Sequence, residues 1–474
     1  MLVNGALVDQ IRREANARLD PQAKAALGQF MTPSAIAEFM ASLFSGSARG
    51  GTLLDAGAGI GSLTLAAAQQ LHPARIEAWE IDPLLRSYLA RNLAPLDAHS
   101  TVHAEDFVEH AVNFLQFDTG PRFTHAILNP PYKKVGTTSR PRLLLRQVGI
   151  ETVNLYTAFL ALAILLMAPG GQLVAIVPRS FCNGPYYRPF RQLLLRECAI
   201  DRLHVFESRS SAFRDDEVLQ ENLIIKLTRG GAPGPVAVSF SSDASFGQMQ
   251  MRTLPFSAIV KPDDPERFIH VPTEEVETGD GLFDQRLAEL GIEVCTGPVV
   301  DFRLKPWFAH HPGKHTVPLL YPHHYNDAAL TWPKEHKKPN ALQRSPEVDK
   351  WLLPNGFYVL VKRFSAKEER RRIVAYVHDP QQIEAERIGF ENHWNVFHAG
   401  KRGLDALLAR GLACFLNSSL VDRHFRLFSG HTQVNATDLR NMRYPGRATL
   451  RRLGRRFKPG LTQEEIDMLI AEAT

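Results

Sequence analysis

Leu54-Asp55-Ala56-Gly57-Ala58-Gly59-Ile60-Gly61 is the stretch from which the rest of this chain can be read. It follows a short apolar segment, Thr52 to Ala56, with strand character, and it leads into a helical stretch, Leu63 to Leu71. Glycines at 57, 59 and 61 let the backbone turn tightly and come close to a ligand. Outward from this turn, further apolar strands are expected at Arg75–Trp79, Thr124–Leu128, Gln172–Val177 and Glu221–Leu227. Pro83 suits the first turn of a helix, and the apolar helix Leu155–Met167 is stopped by Pro169-Gly170-Gly171. Apolar strands alternating with helices predict an α/β fold: a mostly parallel sheet covered on both faces, with ligands at the carboxyl ends of its strands.

The glycine spacing is Gly-x-Gly-x-Gly rather than the Gly-x-Gly-x-x-Gly of dinucleotide sites. Asp55 would repel a phosphate but suits a cationic ligand. S-adenosylmethionine, with a sulfonium and an ammonium group, fits that chemistry better than a nicotinamide dinucleotide. Two further acids follow at regular intervals. Glu80, beside Ile81, lies 25 residues after Asp55 at the end of the next strand, where an acid can take ribose hydroxyls. Asp106 comes 26 residues later, placed to accept from an adenine amino group while Phe107 covers the ring.

Ile127-Leu128-Asn129-Pro130-Pro131-Tyr132 closes the next strand, 23 residues after Asp106. Two prolines fix the backbone after the asparagine and remove two N–H donors. The Asn129 amide oxygen and the Pro130 carbonyl then form a rigid acceptor pair for the two hydrogens of an exocyclic amine. Holding both aims the nitrogen lone pair at a methyl donor, so placement supplies most of the catalysis. Tyr132 offers a flat face for the ring carrying the amine.

With these motifs in this order, the N-terminal half resembles a class I S-adenosylmethionine-dependent methyltransferase of the N6-adenine DNA group, in the Taq-type arrangement. The resemblance implies a Rossmann-like domain with a seven-stranded sheet over 1–245, after a helical lead-in over 1–30. It implies an α+β target-recognition domain over 246–474. It places Thr32, in Gly28-Gln29-Phe30-Met31-Thr32-Pro33, at the cofactor's amino acid end, and lets Asn154–Phe159, Pro169–Gly171 and Val177-Pro178 complete the pocket. Asp55, Gly57, Gly59, Gly61, Glu80, Ile81, Asp106, Phe107 and Asn129 would then bind cofactor. Asn129, Pro130, Pro131 and Tyr132 would be catalytic. Phe213 corresponds to the aromatic residue packing on the extruded base, with Phe206 as its rival.

Composition agrees with a large globular chain: 474 residues, 44% hydrophobic and 22% charged. Gly230 to Pro235 is the best linker, which puts a boundary near 235–265; beyond it the strand–helix alternation is lost until helical stretches near Leu404–Leu416 and Thr462–Glu472. Residues 301–474 carry 28 Lys+Arg against 18 Asp+Glu and 11 of the 18 histidines, whereas 1–250 carry 23 against 22. A basic second part suggests a polyanion, here double-stranded DNA. Val361–Arg372 is a basic run with an aromatic insert, suited to phosphate contact and arginine readout of guanine. Ser429–Leu439 is rich in amides and hydroxyls and suits backbone positioning, or a structural loop. The DNA candidates are Lys133, Lys134, Lys362, Arg363, Lys367, His431, Gln433 and Asn435.

The expected reaction is site-specific methylation of adenine N6 in duplex DNA, with the base rotated out of the stack into a basic cleft between the halves and no metal required. Cytosine C5 methylation needs a thiolate after proline, and none of Cys182, Cys198, Cys295 and Cys414 follows one. Their scatter also gives no disulfide framework. Cytosine N4 enzymes usually carry serine where Asn129 stands. Two rival readings are a protein glutamine N5-methyltransferase, which shares Asn-Pro-Pro-Tyr, and a non-catalytic DNA-binding specificity subunit. The family implies a bacterial, cytoplasmic, nucleoid-associated protein with no membrane partner; the longest apolar run, Ala158–Ala168, is only 11 residues. A separately encoded restriction endonuclease as partner, a stand-alone epigenetic mark, and a monomer or homodimer are all compatible with the sequence.

Overall fold

β1 (Thr52–Ala56) lies inside a nine-stranded sheet with β2 (Arg75–Trp79), β3 (His99–His103), β4 (Phe123–Leu128), β5 (Met167–Pro178), β6 (Cys198–Phe206), β7 (Asn222–Arg229), β8 (Val236–Ser241) and β9 (Gln250–Leu254). The strand order is β3-β2-β1-β4-β5-β7-β6-β8-β9. The computed structural model describes residues 5–20, 22, 28, 31–118, 120, 122–206, 222–241, 246, 249–271, 284–326, 329–365, 371–428 and 433–473. The chain divides into two compact units, 1–273 and 274–474.

Strands β3, β2, β1, β4 and β5 are parallel, while β7 runs antiparallel to both β5 and β6. Those seven are the expected sheet. Beyond them, β8 joins β6 in parallel and β9 pairs antiparallel with β8, so the sheet continues past the glycine–proline linker. Residues alternate between two cores along each central strand. Leu54, Ala126, Leu128, Leu173 and Ala175 face α5 (Phe107–Phe117), α6 (Arg140–Gln147), α7 (Leu155–Leu166) and α8 (Arg188–Glu197). Leu53, Ile127, Val174 and Ile176 face α2 (Ser34–Ser42) and α3 (Ser62–Leu71). Both faces are buried, which is why these strands read as mostly apolar runs.

β3 and β6 escaped the sequence reading for opposite reasons. β3, His-Ser-Thr-Val-His, is an edge strand with half-exposed side chains and no apolar pattern. β6 is central but carries Asp201, Arg202 and His204; His204 is buried because Ser239 and Ser241 of β8 bond its two ring nitrogens at 2.9 and 3.1 Å.

Residues 261–271 are tied to α8 through Glu266, which Arg188 and Arg191 both reach. The Arg191 guanidinium, fully buried, donates to the Glu266 carbonyl at 3.0 and 2.8 Å, to Phe181 O at 2.9 Å and to Gly184 O at 2.7 Å. Ile269 N–H adds a bond to Cys182 O at 2.9 Å.

The second unit holds a four-stranded antiparallel sheet, ordered 293–296, 394–398, 358–362, 375–378, and a five-stranded mixed sheet. Helices Ala406–Leu416 and Gln463–Ala471 match the two helical stretches expected there. Among the described residues no helix is long and apolar enough to cross a membrane.

Candidate active site

The glycine turn leaves the carboxyl end of β1 with Gly57, Gly59 and Gly61 at φ of 79°, 59° and 88°. Gly57 N–H and Ala58 N–H both donate to Trp79 O at 2.9 Å, which folds the loop over the end of β2. The three glycines do different work. A Cβ on Gly57 would stand 3.8 Å from both the Phe159 ring and Pro131 Cδ, inside a cavity of about 280 Å³ that those residues line. One on Gly61 would meet Leu89 Cδ1 at 2.8 Å, so that glycine serves packing against α4 (Pro83–Leu93). Gly61 is not on the cavity wall.

Glu80 and Asp106 reach the cavity from the ends of β2 and β3. Glu80 is nearly buried, and its oxygens accept from Gly59 N–H and Asp82 N–H, each at 2.8 Å. The acid therefore also holds the glycine loop in shape. Asp106 accepts from Glu109 N–H at 3.1 Å and so caps α5. Ile81, 51% exposed, and Phe107 contribute apolar surface. Trp79 and Glu105 also line the wall without having been singled out from sequence; Trp79 is held by stacking on His103 at 4.1 Å.

Asp55 sits beneath the loop, 0% exposed, and is not on the cavity wall. Thr64 Oγ1 donates to its Oδ2 at 2.6 Å, while Oδ1 has no hydrogen-bond partner among the described residues. Burial pushes its pKa up to about 7 from the ordinary 3.8. Unfolding releases the acid to its ordinary value, so the folded chain loses stability as pH rises from about 4 through 7. The melting-temperature difference between Asp55→Asn and the parent should therefore move in the variant's favour between pH 5 and pH 8. A difference that stays flat over that range would mean the carboxyl titrates normally.

Asn129 and Pro131 share this cavity with the glycine loop. Asn129 Nδ2 donates to Thr32 Oγ1 at 3.0 Å, and the Tyr132 hydroxyl lies 3.2 Å from Asn129 Oδ1 and 3.3 Å from Ile176 O. Burial raises the Tyr132 pKa far above its usual value, so the hydroxyl stays neutral and able to donate. Its ring meets Tyr156 edge-on, with centroids 6.1 Å apart. Among the described residues no group of three or more His, Cys, Asp or Glu is arranged to hold a metal ion.

Residues 63–213 match the family model described as Eco57I restriction-modification methylase. The chain is 49% identical over 470 residues to the type II methyltransferase M.BsuBI of Bacillus subtilis, covering 94% of this chain and 93% of that one. It is 43% identical to the type II methyltransferase M.PstI of Providencia stuartii, covering 98% and 96%. The chain belongs to the type II restriction-modification methyltransferases. A cryo-EM structure of a DrdV–DNA complex shares the fold of this methyltransferase with a TM-score of 0.52 at 12% identity, over 95% of this chain and 59% of that one.

The remaining expected residues of the methyltransferase fall into three groups. Lys133 and Lys134 are exposed just past Tyr132, and Lys133 also borders the cavity. In the second unit, three segments meet around Arg363: its N–H donates to His393 O at 2.8 Å, its carbonyl accepts from Val434 N–H at 2.8 Å, and its guanidinium reaches Asn392 O at 3.3 Å and Gln433 Oε1 at 3.5 Å. Phe364, 46% exposed, packs 5.0 Å from the His393 ring. His393 and Phe364 were not singled out from sequence; the aromatic insert in the basic run was the available signal for Phe364, and nothing local marked His393. Lys362 lies over the Tyr376 ring at 5.6 Å, and half-buried Asn435 is engaged with Asp438 at the start of helix Ala436–Asn441. Phe213, Lys367 and His431 lie outside the described residues. Phe206, the rival to Phe213, is packed in the core against Phe246.

Proposed function

We propose that this methyltransferase transfers a methyl group to N6 of adenine in double-stranded DNA, with S-adenosylmethionine held in the 280 Å³ cavity. The observation that carries the reading is the shared wall: Asn129 and Pro131 border the same space as Gly57, Gly59, Glu80 and Asp106. The cavity fits the cofactor's chemistry. Gly57 leaves room that a side chain would fill, Glu80 and Asp106 offer acceptors for hydroxyl and amino groups, and Ile81 and Phe107 offer apolar surface for a purine. When bound, S-adenosylmethionine supplies an electrophilic methyl, whose bonding pair returns to sulfur as the adenine nitrogen's lone pair takes the carbon.

The chain's own residues orient the amine. Asn129 Oδ1 and the Pro130 carbonyl accept its two hydrogens, which turns the lone pair out of conjugation with the ring. Tyr132 stacks on the base, and the methylated nitrogen then releases one hydrogen to water as a proton. Reaching N6 in a duplex requires the base to leave the stack. In the first unit Lys133 and Lys134 supply phosphate contacts; in the second, Arg363 supplies phosphate and base contacts beside Phe364 and His393.

Sequencing of host DNA for N6-methyladenine is the test. Expression should mark one sequence context, and unmodified DNA beside a methylated protein glutamine would favour the rival reading. Lys134→Glu should weaken DNA binding and lower the slope of log affinity against log salt by about 1. An unchanged slope would remove Lys134 from the interface.

A further inference from the structure

We propose that Thr32 sets the orientation of the Asn129 amide and is thereby a positioning residue for methyl transfer. This rests on the adenine-methylation reading above. A primary amide has two unlike ends: its nitrogen only donates, and its oxygen only accepts. An amine that must be gripped through its hydrogens can use only the oxygen end, so an amide turned by 180° would present donors to donors.

The Asn129 amide is held at both ends. Thr32 Oγ1 takes its nitrogen at 3.0 Å, and the Tyr132 hydroxyl stands 3.2 Å from its oxygen. Thr32 comes from a segment 97 residues earlier in the chain and is 5% exposed. That segment braces the far side of the same turn as well. Gly28 O accepts from Tyr132 N–H at 3.2 Å, and with φ of +67° a Cβ there would stand only 3.1 Å from the Tyr132 backbone. The bracing segment is itself anchored. Asp9 of α1 (Gly5–Arg18) accepts from Ser34 N–H at 3.1 Å and Ser34 Oγ at 2.8 Å, at the start of α2, and Ile36, Ala37 and Met40 of α2 are buried. Thr32 is therefore fixed in space before any ligand arrives. Its hydroxyl contributes to orientation, and the residue also lines the cavity.

The test is a comparison of Thr32→Val, which keeps shape and removes the hydroxyl, with Thr32→Ser, which keeps the hydroxyl. At saturating DNA and S-adenosylmethionine, Thr32→Val should lower the single-turnover rate roughly 10- to 100-fold, the range expected when a reacting group is misplaced by a fraction of an ångström to an ångström. Its affinity for S-adenosylmethionine by calorimetry should change less than about threefold, and Thr32→Ser should recover most of the rate. Thr32→Ala replaces the valine variant if the latter melts early, the hydroxyl effect then being read between alanine and serine. A parental rate at saturation overturns the proposal, as does a loss wholly accounted for by weaker cofactor binding, which would make Thr32 a binding residue alone. Absence of N6-methyladenine with the parent protein would instead overturn the reading on which the proposal rests.

Discussion

Asn129→Ala should abolish methyl transfer, with a rate at saturation at least roughly 10³-fold below the parent, while the cavity still binds S-adenosylmethionine within about tenfold. The size follows from two losses at once. Removing a group aimed at the reacting centre typically costs about 10²- to 10³-fold, and releasing the amine from its fixed pose removes orientation as well. Together these are worth about 4 kcal/mol or more of barrier. Cofactor affinity should survive because the glycine loop, Glu80 and Asp106 are built independently of the turn: Glu80 is fixed by Gly59 and Asp82, and Asp106 caps α5. Single-turnover methylation of DNA with calorimetry on the same sample separates the two effects. A variant that retains a tenth of the parental rate would remove Asn129 from the reaction.

Gly57→Val should fail earlier, at the cofactor. Valine is poorly tolerated at φ of +79°, and its Cβ would start 3.8 Å from Phe159 and from Pro131, with two methyls projecting further into the cavity. Affinity for S-adenosylmethionine should drop at least about 100-fold, with DNA binding largely kept. Gly61→Ala is the informative comparison. There the clash is with Leu89, so the melting temperature should fall while the affinity of the molecules still folded changes little. Equal losses of affinity in both variants would mean that the loop responds as one unit and that Gly57 has no separate role at the ligand.

Much of this site can be read in the chain because its parts are local. A glycine turn between strand and helix, an acid at the end of β2, another after β3 and Asn-Pro-Pro-Tyr after β4 each carry their geometry in a few consecutive residues. Parallel topology then gathers them at one end of the sheet. What sequence does not carry is which neighbour a side chain finds. Asp55 looks like its fellow acids but is sealed under the loop by Thr64, and Asn435 looks like a reader of DNA but is engaged with Asp438. The grouping of Arg363 with His393 and Gln433 depends on backbone bonds between segments far apart in sequence, as does the grip of Thr32 on Asn129. In the same way β8 and β9 lie beyond a glycine–proline stretch that reads as a linker, because strand pairing, not composition, decides where the sheet stops.

The buried arginine on α8 has a practical bearing on anyone who wishes to work with the catalytic half by itself. Two of the four hydrogen bonds made by Arg191 end on Glu266, beyond the glycine–proline stretch and beyond β9. A chain severed near residue 245 would take from Arg191 the carbonyl that accepts two of its hydrogen bonds, and would bare the surface that Phe268 and Ile269 now cover. The natural place to cut is after 273, where the first compact unit ends.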